Sequence, residues 1–509
     1  RGINTVMLDT GSRELVEMHA KMFAKHGVST IRNFDALNDV QNLEYSAECI
    51  KKYSLNHEVV VTLMDLPPGC VGAHDVPFYE KTLRNILDSN VPYDSICFKD
   101  ASGTSSPQKI YETIKMARKL VGDDTHIRLH THETAGVSIA CYLAALEAGA
   151  DGIDLAASPV SGGTSQPDIL TMLHAVKGKN YDLGGLDTEK ILKYQEVLTD
   201  CLKDYFIPPE ATQVSPLIPF SPMPGGALTA NTQMMRDNGT LDKFPDVIKA
   251  MREVVEKGGY GTSVTPVSQF YWQQAYANVM FGPWKQIAPG YGKMVLGYFG
   301  KTPTKPDEEV VKLASEKLKL EPTSENPLDI ADRDEKKTMA YWEKRLNEEN
   351  IEATEENIFI AAACDEKGIA FLKGDSPLSV RKNEKVCKQG ESKNMNNASG
   401  NYTVVVDGQK FNVTVAEGDA NIQITPAETS STPVETSGDQ QEVPAAVNGN
   451  VWKVLVKEGE KVEKDQKIMI LEAMKMEIDI NAPQAGTISK ILVSQNEAVD
   501  EGQSLAIIS

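Results

Sequence analysis

The stretch SICFKDASGTSSPQKIYETIKMARKLVGDDTHIRLHTH, Ser95 to His132, decides the reading of the fold. A short apolar run, Ser95 to Phe98, is followed by an amphipathic helical segment, Ser106 to Leu120, and then by a second apolar run, His126 to Leu129. Strand, helix and strand in that order form the βαβ unit of a parallel sheet. Outward from it, Val28 to Phe34, Val59 to Met64 and Gly152 to Leu155 read as further strands, and Glu14 to Lys25 and Ser138 to Glu147 as further helices. Strand starts recur roughly every 25 to 35 residues. Each strand closes in polar residues: Asp35, Asp65, Lys99-Asp100, His130 to His132, and Asp154. Polar residues gathered at the carboxyl ends of parallel strands mark the active face of a barrel enzyme.

The predicted fold class is therefore α/β: a TIM-type (β/α)8 barrel, followed by an α-rich second domain and a C-terminal β-sandwich. Five strands are visible where a closed barrel has eight, a deficit of ~90 residues at ~30 per unit. The chain opens without Met, at Arg1-Gly2-Ile3-Asn4, in what reads as a strand end. The expectation is that the N-terminal strands precede this sequence. The alternative is an open doubly wound sheet.

Composition narrows the function. The chain has 509 residues, 41% of them hydrophobic, enough for three or four packed domains. With 52 basic against 72 acidic residues the net charge is −20. Phosphate binding needs clustered Lys and Arg, so this balance argues against nucleic acid and anionic membrane as partners. No apolar run approaches the ~18 residues of a membrane span. Seven scattered cysteines without a CxxC pair read as reduced thiols, and the expected location is cytoplasmic.

Residues 1–180 read as the barrel. Residues 181–345, where helical stretches (Thr188 to Tyr205, Asp246 to Lys257, Glu308 to Leu318) alternate with Pro- and Gly-rich loops, read as the helical domain. Residues 346–423 form a connecting region, ambiguous from Leu346 to Lys393. Within it, YTVVVDGQKFNVTV, residues 402–415, joins two alternating runs through Asp407-Gly408, a hairpin signal. Residues 424–443, rich in Thr, Ser, Pro, Glu and Gln, read as a flexible linker with an r.m.s. span of roughly 25 Å.

Residues 444–509 contain a repeat. Gly449 to Val456 aligns with Gly486 to Val493, and the same offset of 37 pairs Val462 with Val499, Gln466 with Gln503, and Ile468 with Leu505. Two related strand-rich halves imply a pseudo-symmetric β-sandwich. Between them lies Glu472-Ala473-Met474-Lys475-Met476, at an expected hairpin tip. Two large apolar residues around one Lys at an exposed tip imply that something recognises it. EAMKM in this setting resembles the biotin attachment sequence of biotinyl carrier domains, which makes Lys475 the acceptor and biotin protein ligase a partner. The related lipoyl domains usually carry a different tip.

At the strand ends, His130-Thr131-His132 places two imidazoles on one side of a strand, as two ligands of one cation require. Lys99, at the preceding strand end, reaches the same space. An ammonium cannot ligate a metal unless CO₂ converts it to a carbamate. Here a second resemblance enters. KDASG followed by LHTHETAG is similar to the carboxyltransferase domain of pyruvate carboxylases and of oxaloacetate decarboxylase α chains. That likeness implies a carbamylated Lys99 which, with His130 and His132, binds a divalent metal (Mn, Zn or Co). It also implies a proton-shuttling role for Thr229, from the segment Met223 to Thr229, a match for the loop ASPVSGGTSQP (157–167), and substrate binding by Arg1 in RGxN. Two departures stand out. The family's metal-binding Asp, in an RDAxQS motif, has no counterpart here, and Leu8 replaces a Tyr usually found seven residues after the RGxN Arg.

The function implied is that of the carboxyltransferase and biotin carrier subunit of a two-subunit pyruvate carboxylase, passing CO₂ from carboxybiotin to pyruvate. No GxxxxGK[ST] loop is present, so a biotin carboxylase subunit on another chain is expected to activate bicarbonate. A homo-oligomer is also expected. The alternatives are the α chain of a sodium-pumping oxaloacetate decarboxylase with membrane subunits, a carboxylase of another 2-oxoacid such as 2-oxoglutarate, and a biotin carrier with an inactive barrel.

Overall fold

A computed structural model describes residues 2–89, 91–375, 382–383, 400–406, 409–415, 441–447, 449–473, 476–495 and 497–509. Five parallel strands, β1 (Thr30–Asn33), β2 (Asn56–Thr62), β3 (Ser95–Asp100), β4 (His126–Thr131) and β5 (Gly152–Ile153), pair in the order 1-2-3-4-5. Helices α1 (Arg13–Lys25), α2 (Gln41–Lys52), α3 (Val76–Asp88), α4 (Pro107–Val121) and α5 (Ser138–Glu147) alternate with them. A doubly wound sheet reverses its strand order at a switch point, whereas strictly sequential order is the arc of a barrel. The open-sheet alternative is thereby excluded.

Alternation along the strands sorts their side chains. Val59, Val61, Ile96, Phe98, Ile127 and Leu129 share one core with residues of α3, α4 and α5, such as Leu83, Ile114 and Tyr142. Val60 and Cys97 point the other way, into a second core with Met223, Leu228 and the helix Val267–Phe281. By the same parity Lys99, Arg128 and His130 stand on the inner face, and the register sets Lys99 beside His130. Local signals hold these units in place: Ser106 caps α4 by accepting from the Lys109 amide, Pro107 opens it, and Gly122 closes it at φ 74°.

The helix Val267–Phe281 is buried from Val267 through Asn278, so it is packed on every side and serves as the spine of the helical region. Its core is shared with the strand ends, which fixes the helical region over the barrel mouth. The helix Met339–Glu348 crosses the 345/346 boundary drawn from sequence, and Glu355–Leu372 is helical, with a kink at Asp365. Gly400–Val406 pairs antiparallel with Gln409–Val415.

The C-terminal sandwich has two four-stranded sheets. Its first strand, Gln441–Pro444, pairs with Ser504–Ile508 and buries Val443. The last three residues read as linker therefore belong to the sandwich, a correction of the expected boundary. The internal repeat extends to backbone and hydrogen bonding. Asp465 and Gly502, equivalent at the offset of 37, both have positive φ, 66° and 82°. Gln466 and Gln503 side chains accept from the Glu463 and Asp500 amides, and Glu460 and Glu497 from Lys457 and Ser494. Strand Lys467–Ala473 pairs with Met476–Asn481, Ala473 opposite Met476. Met474 and Lys475, between those paired ends, lie outside the described residues, as does Arg1.

Candidate active site

The site is assembled from the ends of β3, β4 and β5, the loop that holds Thr164 and Gln166, and the helix Gly225–Asp237. His130 directs Nδ1 to Asp154 Oδ2 at 2.7 Å, and His132 directs Nδ1 to the Thr164 carbonyl at 2.7 Å. Both acceptors require a proton on Nδ1, so in the neutral rings both Nε2 atoms carry lone pairs. Those two Nε2 atoms face each other 3.1 Å apart. Two lone pairs so placed repel unless a cation lies between them, and acceptors that fix the tautomer are the usual outer shell of metal-ligating histidines. Two ligands each ~2.1 Å from one ion, at about a right angle, would stand ~3 Å apart. The donor set thus fits a divalent cation, although two imidazoles are only part of its shell. Among the described residues no group of three His, Cys, Asp or Glu could hold a metal ion.

Burial holds the His130 imidazole below its ordinary range, against the opposing bond from Asp154. Burial and the neighbouring His130 push His132 down to about 3. Both rings are therefore neutral at pH 7. Burial works to raise the Asp154 carboxyl, but hydrogen bonds from His130 and Arg32 outweigh it and keep the group well below the carboxylate range. Arg32 Nη1 reaches Asp154 Oδ2 at 2.5 Å, and Arg128 Nη1 lies 3.4 Å from Asp154 Oδ1. Lys99 is half-buried, its Nζ 4.2 Å from the centroid of the Phe34 ring.

Thr229 joins this group through Thr164. The two hydroxyl oxygens are 2.8 Å apart. Gly225, at the start of the helix Gly225–Asp237, explains the Gly requirement of that segment. A Cβ there would stand 1.7 Å from the Thr164 carbonyl oxygen and 2.6 Å from His132 Nδ1.

The structure thus brings together Lys99, His130, His132 and Thr229. It adds Asp154, Thr164 and Gln166, whose Nε2 is 3.4 Å from His130 Nε2. The sequence marks Asp154 only as a polar strand end and Thr164 only as part of a loop match. Neither carries a signal of its partner.

Fold and site define a (β/α) barrel carrying an imidazole pair at its strand ends, joined on one chain to a β-sandwich of two related halves. Comparison with known proteins agrees. Residues 24–198 match the HMGL-like family, 218–423 the conserved carboxylase domain, and 442–508 the biotin-requiring enzyme domain. The B subunit of the pyruvate carboxylase of Methanocaldococcus jannaschii is 30% identical over 479 residues, 94% of this chain and 80% of that protein. The methylmalonyl-CoA carboxyltransferase 5S subunit of Propionibacterium freudenreichii subsp. shermanii is 29% identical over 82% of each chain. The carboxyl transferase domain of Rhizobium etli pyruvate carboxylase, solved with pyruvate, superimposes with a TM-score of 0.65 at 23% identity, covering 74% of this chain and 63% of that one. The chain belongs to the family of pyruvate carboxylase B subunits, biotin-dependent carboxyltransferases with a C-terminal biotinyl domain.

Proposed function

We propose that this chain is the carboxyltransferase and carrier subunit of a two-subunit pyruvate carboxylase, transferring a biotin-borne carboxyl group to pyruvate to give oxaloacetate. One observation carries the reading: a single chain holds a biotin-requiring domain and a barrel mouth where an imidazole pair and Thr229 meet within one hydrogen-bonded chain.

Lys475 is the attachment point for biotin, supported by its EAMKM setting. Residues 424–440 serve as the tether on their composition. His130 and His132, with a carbamate formed on Lys99, would hold a divalent cation, and Arg1 would contact the substrate carboxylate. Bound there, such a cation would polarise the carbonyl of a 2-oxoacid and lower the cost of the enolate. Asp154 and the Thr164 carbonyl keep both rings in the tautomer that offers Nε2. Thr229 would take up the methyl proton of the substrate as its own hydrogen passes to the biotin that has given up its carboxyl group.

A biotin carboxylase subunit and biotin protein ligase are the partners this reading needs, with a homo-oligomer in the cytoplasm as the setting. Among the described residues no helix is long and apolar enough to cross a membrane, and Cys49, Cys70, Cys97, Cys141, Cys201 and Cys364 are free thiols. The named relatives favour carboxylation over the oxaloacetate decarboxylase direction. A labelled-carboxyl exchange panel on the biotinylated full-length protein tests the substrate. Exchange into pyruvate at least ~10-fold above 2-oxoglutarate is expected, and the opposite preference would reassign the enzyme.

A further inference from the structure

Thr164 is held by its surroundings more firmly than a loop residue needs to be. Its amide and its hydroxyl both donate to the Ala211 carbonyl, each at 3.0 Å. Its own carbonyl accepts from His132 Nδ1 at 2.7 Å. The preceding Gly163 has φ 50°, and a Cβ on it would lie 2.5 Å from the Ala211 oxygen. The following Ser165 carbonyl accepts from the Glu133 amide, and Gly225 packs directly on the Thr164 carbonyl. Backbone and side chain of Thr164 are thus locked from three directions, by residues 211–212, 132–133 and 225.

That lock decides the direction of one proton. The Thr164 hydroxyl spends its hydrogen on Ala211, so its oxygen faces Thr229 as an acceptor. Thr229, 2.8 Å away, is then the donor of the pair. The bond fixes the rotamer of Thr229 and leaves the lone pairs of its oxygen uncommitted by this contact. The lone pairs can then receive the proton of a substrate methyl, while the hydrogen resting on Thr164 has to turn away and leave for the acceptor that the decarboxylated biotin would supply. A freely turning hydroxyl would hold its oxygen in that place only part of the time.

We infer that Thr164 is a positioning residue for proton transfer, its hydroxyl orienting Thr229 while its carbonyl orients His132. The inference rests on the reading of Thr229 as the proton carrier. It places the relay and the imidazole pair on one rigid residue, so both are set by the same loop.

Four variants of the full-length biotinylated protein test it in labelled-carboxyl exchange: T164V, T164S, T229A and T164V/T229A. T164V keeps shape and carbonyl but loses the hydroxyl. Its kcat is expected to fall ~10- to 100-fold with KM changed less than about threefold, the scale of a misoriented reacting group. The deuterium isotope effect with methyl-deuterated pyruvate should rise, T164S should restore the rate to within about threefold, and bound metal per chain should stay constant. The double variant should be no slower than T229A, because both changes remove one relay. Wild-type turnover in T164V, equal losses in T164V and T164S, loss of metal along with activity, or multiplying losses in the double variant would each overturn the inference. Undiminished turnover in T229A would instead overturn the reading of Thr229 on which it rests.

Discussion

At the residue scale, the site depends on uncharged imidazoles. His132 is pushed down to about 3 and His130 lies below its ordinary range, both chiefly by burial. A histidine depressed on folding binds fewer protons in the native state than in the unfolded one near pH 6.5, so acid favours unfolding. Stability should therefore be at its full value above about pH 6.5 and fall as pH drops below it. From pH 7 to pH 5 the His132 contribution is a loss of ~2 kcal/mol. Urea titrations of wild type and a His132→Gln variant at both pH values measure it: the wild type should lose more stability than the variant on acidification. Equal losses would show that His132 is not held neutral by the fold. Lys99, His130 and His132 were legible because strand parity and one register position predict their meeting. Asp154 and Thr164 were not, since one acts across the next strand and the other through a main-chain carbonyl, which no side-chain pattern encodes.

At the element scale, the βαβ unit from Ser95 to Thr131 was readable to within two residues at every element end, because β-branched and aromatic runs, Ser106-Pro107 and Gly122 all give the same message. β5 is shorter than expected, Gly152–Ile153 instead of Gly152 to Leu155. Asp154 leaves the ladder there to hold His130 and Arg32. The stretch after Leu346 was ambiguous because Gly368 and the positive φ of Asp365 interrupt the helical period of Glu355–Leu372. The helix start at Gly225–Gly226 offers a sharp contrast. G225A would force a Cβ against the Thr164 main chain, where nothing flexible can yield, whereas G226A meets nothing within 4 Å. G225A is expected to lose ~3 kcal/mol or more and most activity, while G226A should be neutral or gain ~0.5–1 kcal/mol as Ala replaces Gly in a helix. Thermal melts and turnover of the pair check this. A G225A protein of wild-type stability and activity would contradict the packing described.

At the scale of the whole molecule, the barrel mouth shares its core with the helical region, so those parts stand or fall together. The sandwich has a core of its own, including Val451, Leu471, Ile488 and Leu505, each fully buried. Residues 441–509 expressed alone should unfold in one cooperative transition, accept biotin from biotin protein ligase, and show no carboxyl exchange. A fragment without a cooperative melt would mean that the sandwich borrows its stability from the rest of the chain. The central claim is that this chain supplies both the biotin carrier and an imidazole-bearing barrel mouth used in carboxyl transfer. It is tested most directly by exchange of labelled carboxyl between oxaloacetate and pyruvate, without ATP, in the biotinylated full-length protein and its K475R and H130A variants. The account predicts exchange in the wild type and a loss of at least ~100-fold in both variants. Wild-type exchange in either variant, or none in the biotinylated wild type, would contradict it.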